Sequence, residues 1–339
     1  MSEGRVTFRE GRRDQARTLA AAVGPIREQV LALGGDGRLD GPGPVLVAIG
    51  ASHAAAAAPV WGMRERGIEA VRMAAGDLPL PYPDAARPVL GVSQSGRSPE
   101  TIAVLESVAR GRRYAVTNRR PSVVDDLADV GVWLGNLPDS YASTIGYTAT
   151  LMALGMLADA WDGGAIDPVW NDLPGLVASQ DALVGPTIEA FAGALDGAAM
   201  ADVVGGGPAV GSAEAGALLL REVARFPTAA HSTRQYLHGP MESAGRAAHV
   251  VLGDAREGSL AATLSTAGRP VLLVTARPVA SGPCLYVVRL PALRPGPRAV
   301  LEAVVMQALA EELASRAGVD IEAFLFHHDD TKVADEAAR

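Results

Sequence analysis

The stretch Val92-Ser93-Gln94-Ser95-Gly96-Arg97-Ser98-Pro99-Glu100-Thr101 joins an apolar run, Val89 to Val92, to a helical pattern that begins at Ile102. The apolar run predicts a buried strand, so the polar residues lie at a strand-to-helix turn. Ser98 is a good N-cap, and Pro99 then takes the first helical position. A helix N-terminus presents free N–H groups and a positive dipole end, which suit a phosphate. Taken alone, an ordinary capped helix explains this stretch equally well.

The composition limits the class of protein. The 339 residues suffice for two domains. A formal charge of −8, without a basic stripe carrying interleaved aromatic residues, argues against nucleic-acid binding. Cys284 is the only cysteine, which excludes an internal disulfide and fits the reducing cytoplasm. The chain has no apolar stretch of membrane-spanning length and no apolar signal core near its start, so we expect a cytoplasmic protein without membrane contact.

Apolar runs alternate with helical patterns along the chain, and the order recurs. Strands alternating with helices predict an α/β fold with parallel sheets that helices cover on both faces. The predicted strands are 45–49, 70–73, 89–92, 114–118, 130–134, 201–204, 248–252, 271–275 and 285–290. The main predicted helices are 8–33, an Ala-rich segment after 53, one after 99, and 141–161, 173–195, 213–225 and 299–314.

Gly163, Gly164 and Pro168 mark the predicted linker between the halves. We therefore expect a first domain at 1–165, with an N-terminal helical lead-in, and a second at 166–339, with a linker helix and a C-terminal tail. Ligands of open α/β sheets bind at the carboxyl ends of strands. The turns at Ser52, at 93–98 and at 205–207 are predicted to lie at such ends.

Three motifs together resemble the double sugar isomerase (SIS) domain family, which includes the isomerase half of glucosamine-6-phosphate synthase and stand-alone phosphosugar isomerases, deaminases and deglycases. Gly50-Ala51-Ser52-His53 resembles the first phosphosugar loop of that family, and Ser93–Ser98 resembles its central phosphate loop. Arg221-Glu222-Val223, followed by Leu237-His238-Gly239-Pro240, is similar to the second-domain helix and its His-Gly-Pro loop. The resemblance covers nearly the whole chain and implies two SIS-type domains related by pseudo-twofold symmetry.

The resemblance also implies roles for particular residues. It implies that a phosphorylated hexose or amino sugar binds, without a cofactor or a metal, to Ser52, Ser93, Gln94, Ser95, Ser98 and Ser143. Glu222 falls on the carboxylate that moves a proton between C1 and C2. His238 falls on the ring-opening histidine, which the neighbouring subunit often supplies in the family, so a homodimer is expected. Lys332 is the candidate for the lysine that closes over the site.

The proposed chemistry is reasonable for these residue types. A carboxylate that moves a proton next to a carbonyl works best with its pKa raised toward neutrality by apolar surroundings. Glu222 follows Leu218-Leu219-Leu220, which makes a partly apolar setting reasonable. A histidine such as His238 can both accept and donate the ring-opening proton. Without the resemblance, however, Glu222 would be interpreted as a surface carboxylate and His238 as a loop histidine.

The chain also departs from the family pattern. Leu219 stands where the synthase carries a lysine, and Ala51 where threonine is common. The tail 327–330, His-His-Asp-Asp, resembles a metal cluster, but no Cys or spaced Glu completes a ligand set, so a solvated tail is preferred. No cysteine follows Met1 and no glutaminase half is present, so synthase activity is not expected. Isomerase, deaminase and deglycase activities stay open. A non-catalytic phosphosugar sensor is the alternative, which the presence of both Glu222 and His238 disfavours.

Overall fold

A computed structural model describes residues 4–83, 86–195, 197–326 and 330–333. The chain forms two compact units, one consisting of Met1–Pro174 with Phe324–Arg339 and the other of Gly175–Ala323. The domain boundary expected at 165/166 stays a prediction, because compactness alone does not define an independently folding domain. Residues 327–329 of the tail segment 327–330 lie outside the described residues.

The first unit contains a five-stranded parallel sheet in the order β2-β1-β3-β4-β5. Its elements are α1 (Phe8–Gly35), β1 (Val45–Ala48), α2 (Gly50–Ala55), α3 (Ala57–Glu65), β2 (Val71–Ala74), β3 (Val89–Ser93), α4 (Pro99–Ser107), β4 (Arg113–Thr117), α5 (Val123–Leu127), β5 (Val130–Trp133) and α6 (Ile145–Ala160). The helix α7 (Val169–Gly193) has residues on both sides of the division between the units.

The second unit contains another five-stranded parallel sheet, in the order β10-β9-β8-β6-β7. Its elements are β6 (Met200–Gly205), α8 (Val210–Ala224), β7 (Thr228–Ser232), α9 (Thr233–Tyr236), β8 (Ala247–Leu252), α10 (Arg256–Thr266), β9 (Val271–Thr275), β10 (Leu285–Arg289) and α11 (Pro295–Ala317). The predicted fold class, α/β with parallel sheets flanked by helices, is therefore confirmed. The pseudo-twofold relation between the halves stays a prediction.

Burial explains why the central strands were predictable. β1, β3 and β8 are buried along their whole length, as runs rich in Val, Leu and Ala indicate for strands covered on both faces. The helix α6 is almost entirely buried because α1, α2 and α3 pack around it in the first unit. It begins at Ile145 and not at 141, since residues 139–144 form a hydrogen-bonded loop.

No helix within the described residues has both the length and the apolar character required to cross a membrane.

Candidate functional site

The turn between β3 and α4 carries the polar stretch that the sequence singled out. Ser98 occupies the N-cap position and Pro99 the first helical position, as predicted, but the Ser98 side chain makes no capping hydrogen bond. The Ser98 Oγ lies 3.0 Å from the Oγ of Ser93, which is buried at the end of β3. The two hydroxyls therefore satisfy each other, and the first N–H groups of α4 are left without a side-chain cap.

Gly96 gives the turn its shape. Its φ angle of +65° lies in the left-handed region, and a Cβ at this position would clash with the Ser122 side chain. The turn is held by backbone bonds from Gly96 N to Ser93 O (3.1 Å) and from Val124 N to Gly96 O (3.0 Å). Ser95 Oγ accepts from Arg97 N at 3.3 Å. This close approach of loop to loop requires glycine.

A buried carboxylate organises the loop before α6. Asp139 is 6% exposed and accepts hydrogen bonds from Ser143 Oγ (2.5 Å), Thr144 N (2.9 Å) and Gln94 Nε2 (3.3 Å). Burial raises the pKa of Asp139, although the hydrogen bond from Ser143 opposes that shift. Two residues that the resemblance assigned to sugar and phosphate binding, Gln94 and Ser143, are thus joined by a third that was not predicted.

A cavity of about 740 Å³ opens beside this turn in the first unit. Among the described residues that line it, five are cationic and one is acidic. The lining residues are Gly4, Arg5, Gln94, Ser95, Arg97, Arg119, Arg120, Pro121, Asn136, Asp139, Ser140, Tyr141, Ser143 and Lys332. A surplus of positive charge in a concave site of this size favours an anionic small molecule.

The predicted phosphate and sugar residues, taken together with the predicted closing lysine, divide into three groups. Gln94, Ser95, Ser143 and Lys332 line the cavity. Ser93 is buried and Ser98 is half-buried; their hydroxyls bond to each other, and neither residue is among the described lining residues of the cavity. Ser52 is half-buried in α2, directly after β1, and is not among the described lining residues of the cavity. Because β1 pairs with β3, Ser52 and Ser93 lie at the same edge of one sheet.

Lys332 comes to the cavity from the C-terminal tail. The tail is fixed next to the turn by a hydrogen bond of 3.0 Å from Val333 N to Arg97 O. Desolvation lowers the pKa of Lys332, and the nearby charges of Arg97 and Arg5 lower it further. The tail register that brings Lys332 beside the predicted phosphate loop was uncertain in the sequence.

Glu222 lies in the last turn of α8, in the second unit. Burial raises the pKa of Glu222 to about 7. Its side chain is half-buried, and within the residues that the structure describes no hydrogen-bond partner offsets the loss of hydration. A carboxylate in this condition exchanges protons readily near neutral pH.

His238 is exposed and follows α9, with its backbone N–H bonded to Gln235 O at 3.0 Å. A buried polar cluster lies just before it in the chain. The Tyr236 hydroxyl donates to Asp202 Oδ2 (3.0 Å) and lies 2.9 Å from His249 Nε2. Burial raises the pKa of Tyr236 and lowers the pKa of His249. This cluster fixes α9 on β6 and β8, and the His-Gly-Pro segment begins where it ends.

The carboxyl ends of the strands in the second sheet carry a different charge from those of the first sheet. A smaller cavity of about 250 Å³ lies where β6 and β8 end, lined by Asp254, Glu257 and Glu302 with one arginine, Arg298. Arg298 is already bonded to Asp254 (2.5 Å) and Glu302 (2.8 Å). A phosphate would meet carboxylates there, so the turn at 205–207 is a poor phosphate site despite its position.

Several residues of the first cavity were not predicted. Arg119 and Arg120 directly follow Asn118 at the carboxyl end of β4, the strand next to β3, so the strand-end rule could have found them. Arg5 is far away in sequence and reaches the cavity because the N-terminal segment pairs with Asp139, through Asp139 N to Gly4 O (3.1 Å) and Val6 N to Asp139 O (3.2 Å). No local pattern indicates that pairing.

No family model matches the chain, and no curated protein matches it. Solved structures, however, match the chain over most of its length. The C-terminal domain of glucosamine-fructose-6-phosphate aminotransferase from Francisella tularensis matches with a TM-score of 0.80 and 15% identity, over 95% of this chain and 99% of that one. Tagatose-6-phosphate ketose/aldose isomerase from Escherichia coli matches with a TM-score of 0.74 and 19% identity, over 95% and 96%. Glucosamine-6-phosphate deaminase from Thermotoga maritima matches with a TM-score of 0.66 and 18% identity, over 91% and 96%. The chain therefore has the fold of these three proteins along nearly its whole length.

Proposed function

We propose that this chain is a member of the SIS family and an enzyme that processes a phosphorylated hexose or amino sugar. The reaction is a proton transfer between C1 and C2, which serves aldose–ketose isomerisation, aminosugar-phosphate deamination or fructosamine-phosphate deglycation. The observation that carries the proposal is the turn between β3 and α4, whose polar side chains line a cationic cavity. The names of the three structural neighbours, each of which refers to a sugar phosphate, support it.

The phosphate is assigned to the turn. Ser95 and Gln94 offer side-chain donors, and the uncapped N-terminus of α4 offers backbone N–H groups and the positive end of the helix dipole. Ser93 and Ser98 are assigned to fixing the turn, since their hydroxyls bond to each other. Ser52 lies at the carboxyl end of the neighbouring strand β1. Anchoring the phosphate fixes the sugar chain and so orients C1 and C2.

Proton transfer is assigned to Glu222. With a pKa of about 7, both of its protonation states are populated at neutral pH, so it can take a proton from one carbon and return it to the other. His238 is proposed to pass the proton that opens the sugar ring, supplied across a homodimer. Lys332, on the tail, is proposed to close over the bound substrate. None of these steps requires a cofactor.

Calorimetry with fructose 6-phosphate and glucosamine 6-phosphate tests the binding half of the proposal, with fructose as the ligand that lacks phosphate. Ser95→Ala removes a donor worth about 1–3 kcal/mol to a charged acceptor, so affinity should fall roughly tenfold. Ser179→Ala is the matched control, because Ser179 is an exposed serine on α7. Equal binding of fructose and its phosphate would contradict the assignment.

A turnover assay on the same compounds tests the enzymatic half. Formation of an isomer, of ammonia or of a free amine identifies which of the three reactions occurs. Tight phosphosugar binding without any product would indicate the alternative, a phosphosugar-binding regulator, and would refute the enzymatic assignment of Glu222.

A further inference from the structure

The face of the second sheet that α9 covers carries buried polar side chains in an otherwise apolar core. Asp202 of β6 and His249 of β8 are register partners, so their side chains lie on the same face, and Tyr236 of α9 packs over them. Asp202 is 2% exposed, and the other two are fully buried. Tyr236 otherwise packs in an apolar cluster that includes Val204 and Val251. Because burying polar groups costs free energy even when they are paired, packing alone does not explain this cluster.

The cluster ties α9 to the sheet. The Tyr236 hydroxyl donates to Asp202 Oδ2 at 3.0 Å and lies 2.9 Å from His249 Nε2. His231 of β7 approaches the other carboxylate oxygen, with its Nε2 atom 3.4 Å from Asp202 Oδ1. Burial and the nearby carboxylate raise the pKa of Tyr236, so its hydroxyl keeps its proton and stays a donor at neutral pH. A hydrogen bond to a carboxylate is stronger than one between neutral groups, so this attachment of α9 to β6 is firm.

The helix α9 depends on such attachments because it consists of one turn, Thr233–Tyr236. A single helical turn is not stable by itself, since the entropy lost in forming it exceeds what its hydrogen bonds contribute. Its first residue, Thr233, is buried and donates from Oγ1 to Glu257 Oε1 at 2.7 Å. Its last residue, Tyr236, is held by Asp202 and His249. Both ends of the turn are thus fixed by buried polar side chains.

The backbone of His238 continues directly from this turn. Leu237 N donates to Thr233 O at 3.2 Å, and His238 N donates to Gln235 O at 3.0 Å. The His238 side chain is exposed, and with the described residues His238 forms its hydrogen bond through the backbone. The place of the imidazole is therefore set by the course of the chain, which the attachments of α9 determine.

We propose that Tyr236 and Asp202 are positioning residues for His238, which hold its imidazole where opening of the sugar ring requires it. The inference rests on the proposed function and deepens it, because it adds residues of α9 and β6 to the step assigned to His238. A proton-transfer group must lie within hydrogen-bond reach of the reacting oxygen, and a displacement of about 1 Å can cost about 100-fold in rate. The proton transfer between C1 and C2 is assigned to Glu222 on α8 and should depend on this cluster much less.

Two ketose phosphates separate the two steps. Fructose 6-phosphate is mainly cyclic, whereas 5-deoxyfructose 6-phosphate lacks the hydroxyl that closes the ring and stays open. Deuterium exchange at C1 in heavy water is measured for both compounds. Tyr236→Phe keeps the aromatic ring, so exchange with fructose 6-phosphate should slow about tenfold or more, while exchange with the open-chain compound should change by less than about twofold. Equal loss with both compounds, or no loss with either, would overturn the inference.

Two further variants make the comparison specific. Tyr286→Phe is the matched control, because Tyr286 of β10 belongs to the same unit and lies outside the cluster. Asp202→Asn keeps an acceptor for the Tyr236 hydroxyl but removes the charge. It is the second variant should Tyr236→Phe fold poorly, and it should show the same selective loss to a smaller degree.

Amide hydrogen exchange of the free protein gives a readout that does not need turnover. Exchange of the His238 amide should become about tenfold or more faster in Tyr236→Phe and should not change in Tyr286→Phe, because local opening of the turn exposes this amide. An unchanged His238 amide would overturn the inference and leave the proposed function standing. If the wild-type protein exchanges deuterium into neither compound, the proposed function is refuted, and the inference with it.

Discussion

Replacing Glu222 with glutamine should make the protein more stable at neutral and alkaline pH. Glu222 loses part of its hydration in α8, and no partner among the described residues compensates for that loss. Burial therefore raises its pKa from 4.5 to about 7. Glutamine keeps the shape and polarity of the side chain but carries no charge. The substitution therefore removes a desolvated carboxylate that destabilises the folded chain whenever it is ionised.

The magnitude follows from the shift of the pKa. A change from 4.5 to about 7 corresponds to about 3 kcal/mol at about 1.4 kcal/mol per pH unit. The folded state holds the proton of Glu222 more tightly than the unfolded state does. The contribution of Glu222 to the free energy of unfolding therefore decreases as pH rises from about 4.5 to about 7, and above that it stays level. Water reaches part of the half-buried side chain, so about 3 kcal/mol is a ceiling. At about 2–4 °C per kcal/mol, the ceiling on the gain in Tm is about 6–12 °C.

Urea unfolding at pH 4 and at pH 8.5 measures the effect. Wild type and Glu222→Gln should be nearly equally stable at pH 4, where the carboxyl is protonated in both states, and should differ at pH 8.5 in favour of the variant. Glu214→Gln is the matched control, because it removes one negative charge from the same helix. A variant that is less stable at pH 8.5, or a gap that is equal at both pH values, would refute the reasoning.

Three further predictions concern the turn, the polar cluster and the assembly. Gly96→Ala should destabilise the first unit by about 1–2 kcal/mol or more and weaken phosphosugar binding, because φ is +65° and the new methyl group meets Ser122. Urea unfolding measures the stability and calorimetry measures the binding. A variant as stable as the wild type would contradict the geometry of the turn. Tyr236→Phe should cost about 1–3 kcal/mol of unfolding free energy, since it leaves Asp202 and His249 buried without their shared hydroxyl; an unchanged urea midpoint would contradict this. Sedimentation should show a homodimer at micromolar concentration, and His238→Gln should lose turnover while remaining dimeric; a monomer that is fully active would refute the shared site.

The sequence predicts the central strands well because they are buried along their whole length and therefore form continuous apolar runs. The predicted runs 45–49 and 271–275 differ from the structure by at most one residue at an end, and so does 285–290, an edge strand that is only partly buried but is still apolar in sequence. β7 was not predicted, since Thr-Ala-Ala-His-Ser is polar and half-exposed at the edge of its sheet, where no apolar run is required. The helix α10 was also missed, because its buried face consists of a few residues between charged and small ones.

The candidate site was only partly predictable. The phosphate turn is local, so its residues and its cap position could be identified from the sequence. The Ser98 hydroxyl could bond either the helix N-terminus or a neighbouring hydroxyl, and only the fold shows that Ser93 is its partner. Arg5 and Lys332 join the cavity through backbone pairing of the two terminal segments, which depends on contacts between distant parts of the chain. The raised pKa of Glu222 needed the burial of α8, which the leucines before it only suggested.

The step that defines the proposed activity is the transfer of a proton between C1 and C2 of a phosphosugar. Incubation of hexose phosphates and amino-sugar phosphates in heavy water, followed by NMR at C1 and C2, measures that step directly. We predict deuterium incorporation with the wild-type protein, and a rate about 10²–10⁴ times lower with Glu222→Gln, while phosphosugar binding by the variant persists. Binding without any deuterium incorporation by the wild-type protein, or equal exchange rates for the two proteins, would contradict the account.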